Sequence, residues 1–112
     1  MLSIINKKEL SEKAKIMAET LKIIANENRL MTICFLEEGE KTVGEITSFL
    51  EISQPAVSQM LIKMKEDGIL SSRAVSQKIF YRVENRDISK LIKEISVFCK
   101  GIDKSSNKGK YL

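Results

Sequence analysis

The stretch Ser53–Gly68, SQPAVSQMLIKMKEDG, decides how the rest of the chain is read. Ser53 is a favourable helix N-cap, its hydroxyl suited to accept from a backbone N–H left open at a helix start. Pro55 follows in the first turn, where its missing N–H costs nothing. Gly68 is a natural stop, so the spacing predicts a helix between them. Ala56, Val57, Leu61 and Met64 recur at helical intervals and make one apolar face. Gln54, Pro55, Ser58, Gln59 and Lys63 share another face, hydrogen-bonding side chains with a single cation. Gln and Ser both donate and accept, which suits them to base edges in a DNA major groove. An ordinary amphipathic surface helix carries the same pattern, so the flanking sequence has to separate the two readings.

Upstream, Thr42-Val43-Gly44-Glu45 matches a capping box, with Thr at the N-cap and Glu three residues on. It predicts a short helix with core positions Val43, Ile46, Phe49 and Leu50. Glu51 and Ile52 then separate this helix from the next. A short helix, a tight turn and a longer helix with polar outward residues make a helix-turn-helix. Downstream, Ile69–Val75 and Lys78–Glu84 are rich in β-formers and turn at Ser76-Gln77, which predicts a hairpin. Its second strand carries Ile79, Phe80, Tyr81 and Val83. Arg73, Lys78 and Arg82 put cations at or near the tip, beside Gln77. A basic hairpin directly after such a helix is a wing, placed to reach phosphates beside the groove. A solvated hairpin with ordinary surface charges is the alternative. The candidate DNA-contacting set is Ser53, Gln54, Ser58, Gln59 and Lys63 of the helix with Arg73, Gln77, Lys78 and Tyr81 of the wing.

Three further helices surround this unit. Residues 7–25 carry a stripe of Leu10, Ala14, Met17, Ala18, Leu21, Ile24 and Ala25. Asn26 or Asn28 caps a second helix that runs to Glu38 and stops at Gly39. Its block of Leu30, Met31, Ile33, Cys34, Phe35 and Leu36 is expected to be largely buried. Asn85 or Asp87 caps the last helix, where Ile88, Leu91, Ile92, Ile95, Phe98, Cys99 and Ile102 repeat every three or four residues. The fold class is therefore mainly α with a β-hairpin, a winged helix-turn-helix in the order α-α-α-α-β-β-α. One domain is expected over 1–104, with a polar tail over 105–112. The first and last helices carry more apolar face than a monomer needs. A homodimer through Leu10, Met17, Leu21, Leu91, Ile95 and Phe98 explains the excess.

Composition narrows the function. The chain has 112 residues, 19 Lys and Arg against 15 Asp and Glu, and a net charge of +4, which favours an acidic partner such as nucleic acid. With four Phe, two Tyr and no Trp, the core must be aliphatic. No run of 18 apolar residues exists, so no membrane partner is expected. The start, MLSIINKKEL, lacks the apolar core of a signal peptide, which points to the cytoplasm. Two cysteines in a reducing compartment do not make a permanent staple. There is no histidine, the commonest general base and nitrogen metal ligand. No phosphate loop and no evident carboxylate pair stand in for it. The chain is not expected to be an enzyme, and no catalytic residue, metal site or cofactor is expected.

The element order, with the stretches ANENRLMTICFLEEGEKTVGEI, SQPAVSQMLIKMKEDGIL and SSRAVSQKIFYRV, resembles the ArsR/SmtB family of small dimeric bacterial repressors over about residues 14 to 102. The resemblance implies a dimer on double-stranded palindromic operator DNA, loosened by an inducer. Gln54, Ser58 and Gln59 would read bases and the wing residues would hold phosphates. Arsenic and cadmium sensors of the family carry a Cys-x-Cys motif at the start of the third helix, where this chain has Val43-Gly44-Glu45-Ile46. Zinc sensors use Asp and His across the last helices. What remains is Cys34 in the second helix and Cys99 in the last, 65 residues apart. That pair resembles the sulfide- and redox-responsive branch typified by BigR, SqrR and HlyU. The resemblance implies that reactive sulfur species bridge the two thiols and lift repression. Pro55 and Met60 depart from the recognition-helix pattern of that branch. Two alternatives stay open: a metal-responsive repressor with nonstandard ligands, and a winged-helix regulator whose cysteines only pack, as cysteine often does. If the pair is a sensor, both thiols are expected in one subunit, slightly beyond the reach of an unstrained disulfide.

Overall fold

The computed structural model describes residues 6–99. The Cys99 side chain, Ile102 and the tail 105–112 lie outside the described residues. The elements in order are α1 (Lys7–Ile24), α2 (Glu27–Leu36), β1 (Lys41–Thr42), α3 (Val43–Leu50), α4 (Gln54–Glu66), β2 (Leu70–Val75), β3 (Lys78–Val83) and α5 (Arg86–Cys99). This is the winged helix-turn-helix that the sequence predicts, with one added strand.

Local chemistry sets the helix starts. Asn6, Asn26, Thr42 and Ser53 each accept from the backbone N–H three residues on, satisfying a donor that the helix cannot. Asn26, rather than Asn28, begins α2. Asn85 Oδ1 accepts from Ile88 N at 3.0 Å, so Asn85, rather than Asp87, begins α5. The capping box is complete: Glu45 N donates to Thr42 Oγ1 at 3.1 Å, and Thr42 N donates to Glu45 Oε1 at 2.8 Å. Glu51, in the left-handed region at φ 58°, ends α3 and opens the tight turn into α4.

The sheet is antiparallel in the order β1-β3-β2. β1 is the strand that the sequence does not reveal, because two residues cannot display an alternation. It pairs Lys41 with Tyr81 and Thr42 with Phe80. The hairpin closes at Val75 opposite Lys78, and Ser76 takes up the positive φ (57°) that its two-residue turn requires.

The core is aliphatic, as composition requires. Ile33 of α2, Ile46 of α3 and Val57, Leu61 and Met64 of α4 are each 0 % exposed, and Ile69, Leu70, Ile88 and Ile92 close around them. Thr32 is buried with them, its hydroxyl donating to Asn28 O at 2.7 Å.

Three expectations about burial change. Ala56 is exposed, so the apolar face of α4 is narrower than the pattern suggested. Phe49 is 40 % exposed and stacks on Phe35, centroids 4.1 Å apart, instead of entering the core. Cys34 is exposed, because Thr32, Ile33 and Leu36 take the inner side of α2 and position 34 is turned away. Only Ile24 of the α1 stripe is buried; Ile16, Met17 and Leu21 face outward, as do Val97 and Phe98 of α5. Leu10, Leu91 and Ile95 are half-buried.

Candidate nucleic-acid interface

Burial of Val57, Leu61 and Met64 fixes how α4 is rolled, and so decides what it offers to solvent. Gln54, Gln59 and Lys63 are exposed on the outer side, and Ser58 is half-buried between them. Ser53 is exposed, but its hydroxyl accepts from Ala56 N at 3.3 Å, so it caps as well as borders the face. Lys63 pairs with Asp67 at 3.4 Å on the same face. Two residues on from Lys63, Lys65 Nζ donates to Ser72 Oγ at 2.8 Å and ties the helix to the hairpin.

The start of α4 and the tip of the wing come together. Gln54 lines an open groove with Gln77, Lys78 and Ile79, backed by Thr42, Val43, Gly44 and Ser48 at the start of α3. Amide side chains and a cation therefore converge from two elements on one concave surface. Ser58, Gln59 and Lys63 continue along α4 beyond it.

One wing residue stands elsewhere than the sequence placed it, and another has a partner that the sequence does not reveal. Tyr81 is a correction: it is 6 % exposed and belongs to the core. Strand alternation explains this, since Leu70, Ser72 and Tyr81 share the inner face of the hairpin while Arg73, Phe80 and Arg82 share the outer one. Burial pushes its phenol above the ordinary value, so the ring serves packing rather than a phosphate. Arg73 lies three residues before the turn and is engaged by Glu40. Its Nε donates to Oε2 at 2.9 Å and its Nη2 to Oε1 at 2.7 Å, with the guanidinium over the Phe80 ring at 5.4 Å. That guanidinium holds the Glu40 carboxyl below the usual carboxylate range, mainly through its hydrogen bonds. Sequence reasoning missed Glu40. Nothing local marks it, because its partner is 33 residues away and only the pairing of β1 brings them together.

Cys34 lies outside the groove, at a second site that shares Phe49 with it. It lines an apolar cavity of about 290 Å³ with Leu30 and Met31 of α2, Phe49 of α3, and Ile92, Ile95 and Ser96 of α5. Cys99, the last residue of α5, follows Ile95 by four residues and Ser96 by three, one helical turn beyond that lining. Among the described residues no three of His, Cys, Asp and Glu are grouped to hold a metal ion. No described helix is long and apolar enough to cross a membrane.

A helix-turn-helix that presents amides and a hydroxyl, flanked by a hairpin with a cation at its turn, defines a winged-helix DNA-binding regulator. Comparison with known proteins places it more closely. Residues 26–72 match the model of bacterial regulatory proteins of the arsR family. Transcriptional activator HlyU of Vibrio cholerae serotype O1 is 36% identical over 87 residues, 78% of this chain and 81% of that protein. The biofilm growth-associated repressor of Agrobacterium fabrum is 37% identical over 91 residues, 80% of this chain and 78% of that protein. The crystal structure of HlyU from Vibrio vulnificus superposes with a TM-score of 0.78 at 31% identity, covering 83% of this chain and 97% of that one. The chain belongs to the ArsR family and is a DNA-binding transcriptional regulator.

Proposed function

We propose that the chain is a homodimeric repressor that holds a palindromic operator and releases it when reactive sulfur species bridge Cys34 and Cys99. The observation that carries this reading is the position of Cys34. A cysteine inside an apolar run is exposed and faces a cavity lined by α5, with Cys99 one turn further along that helix. A cysteine that merely filled the core would sit on the inner side of α2 with Ile33 and Leu36.

The dimer forms through the outward faces of α1 and α5 and sets its two α4 helices about one DNA turn, ~34 Å, apart. Gln54, Ser58 and Gln59 read base edges, and Gln77 and Lys78 hold phosphates. In the switch, one thiolate attacks a polysulfide, takes on two of its sulfur atoms and expels the shortened polysulfide. The second thiolate attacks the added sulfur next to the first cysteine and expels hydrosulfide. Two thiols are oxidised to a trisulfide, and the polysulfide is the oxidant. The bridge draws α2 and α5 together, changes the dimer angle and so the spacing of the α4 helices. A loss of ~3 kcal/mol in operator binding gives more than a hundredfold release.

The test uses the parent, Cys34→Ser and Cys99→Ser with a polysulfide donor, read by intact mass and by DNA binding. The parent should gain one or two sulfur atoms within one subunit and lose its operator. Each serine variant should bind DNA when reduced and stay bound under polysulfide. A serine variant that releases DNA as the parent does, or that fails to bind while reduced, refutes the switch.

A further inference from the structure

The ion pair between Glu40 and Arg73 has the construction of a clamp. Nε and Nη2 of Arg73 reach both carboxylate oxygens at 2.7–3.1 Å, a two-pronged geometry that fixes orientation as well as distance. The guanidinium plane is also held against Phe80. The sheet register explains the reach. Thr42 opposes Phe80, and Phe80 opposes Arg73, so a side chain from the β1 end crosses β3 on the outer face to meet β2. Arg82, on the same face, adds to the field that keeps Glu40 ionised. Arg73 itself pairs with Phe80, the residue after Ile79, on the side of the hairpin leading to the turn where Gln77, Lys78 and Ile79 line the groove shared with Gln54. A phosphate approaching the wing therefore meets a guanidinium and a carboxylate together, with no summed charge.

We infer that Glu40 limits the wing's attraction for the DNA backbone: by neutralising Arg73 it withdraws one cation from sequence-independent binding. The inference rests on the reading that the wing touches DNA. It reverses the expectation for a bare wing arginine, because the residue that governs backbone affinity is here an acidic one outside the hairpin. The consequence is a regulator that relies more on the amides of α4, and less on phosphates common to every sequence, than its basic residues imply.

A charge cycle tests it on a random-sequence duplex, by fluorescence anisotropy over a salt series. The parent pair carries no net charge, Glu40→Gln leaves +1, Arg73→Gln leaves −1, and the double variant again carries none. Glu40→Gln should bind tighter than the parent with a salt slope steeper by about 0.9, so that its advantage shrinks roughly 3.5-fold between 50 and 200 mM salt. Arg73→Gln should bind more weakly, and the double variant should return to parental affinity and slope. If the carboxylate instead positions Arg73 for a phosphate, Glu40→Gln weakens binding and the double variant follows Arg73→Gln; either result overturns the inference. Lys78→Gln separates the two levels. A salt slope made shallower by Lys78→Gln, with no gain from Glu40→Gln, defeats the role of Glu40 alone. An unchanged slope in Lys78→Gln removes the wing from the DNA and the inference with it.

Discussion

Replacing Leu21 by glutamate should split the dimer without unfolding the protomer. Leu21 is 49 % exposed in the single chain, beside Met17 at 53 %, and α5 likewise exposes Phe98 at 53 %. Full burial of a Leu, Met or Phe side chain gains about 1.5–3 kcal/mol. The half of Leu21 still in water therefore stands to gain about 1 kcal/mol when α1 is covered. A two-fold interface contains each residue twice, so losing Leu21 removes about 2 kcal/mol per dimer. That alone raises the dimer dissociation constant roughly thirtyfold. Two carboxylates pressed into an apolar seam add a desolvation cost, so thirtyfold is the lower bound. Sedimentation velocity over a concentration series reads the constant, and circular dichroism checks that helix content is kept, since Leu21 lies outside the protomer's core. Affinity for a duplex with two half-sites should fall with dimerisation, while affinity for a single half-site should hold. A Leu21→Glu protein that sediments as the parent does would refute the α1 interface, and with it the two-fold operator.

Gln59→Ala and Ser58→Ala should each cost roughly 1–3 kcal/mol on the operator and relax the choice of base at one position, leaving random-duplex binding nearly unchanged. Competition with singly substituted operators checks this, and a uniform loss on all sequences would make these residues backbone contacts. Tyr81→Ala should cost about 3–5 kcal/mol in denaturant unfolding, as a buried aromatic truncation does, whereas Tyr81→Phe should leave DNA affinity at the parental value. A drop in DNA affinity for Tyr81→Phe with stability intact would return the phenol to the interface.

Helices and their starts were legible because their signals are local. A cap and the N–H it satisfies are three residues apart, so Thr42 with Glu45 and Ser53 before Gln54 announce α3 and α4 in the sequence itself. The roll of α4 was legible for a similar reason, since Val57, Leu61 and Met64 repeat at the period of the helix. The hairpin was legible from its β-formers and turn, but not its inner and outer faces: Phe80 and Tyr81 are both aromatic, and register alone sends the second inward. The apolar run of α2 hid Cys34 because hydrophobicity reports which residues can be buried. Which of them are buried depends on how much of the helix the neighbours cover, and a ten-residue helix against a small core hides only one side.

Glu40 marks the limit of such reading. By itself it is one more acidic residue in the loop Glu37–Glu40, between a helix end and a capping box. Its role follows from Lys41 and Thr42 adding a third strand, which places the preceding carboxylate level with the outer face of the hairpin. From there it meets the cation that sequence reasoning had assigned to phosphate. The sequence shows the wing's cations one by one, whereas DNA meets the field they make together with their partners. Lys63 with Asp67 repeats the pattern on the outer side of α4, where an exposed cation again stands next to an acid. On the proposed reading, backbone attraction at both places is set by pairs, and the uncharged side chains Gln54, Ser58 and Gln59 are left to distinguish one sequence from another.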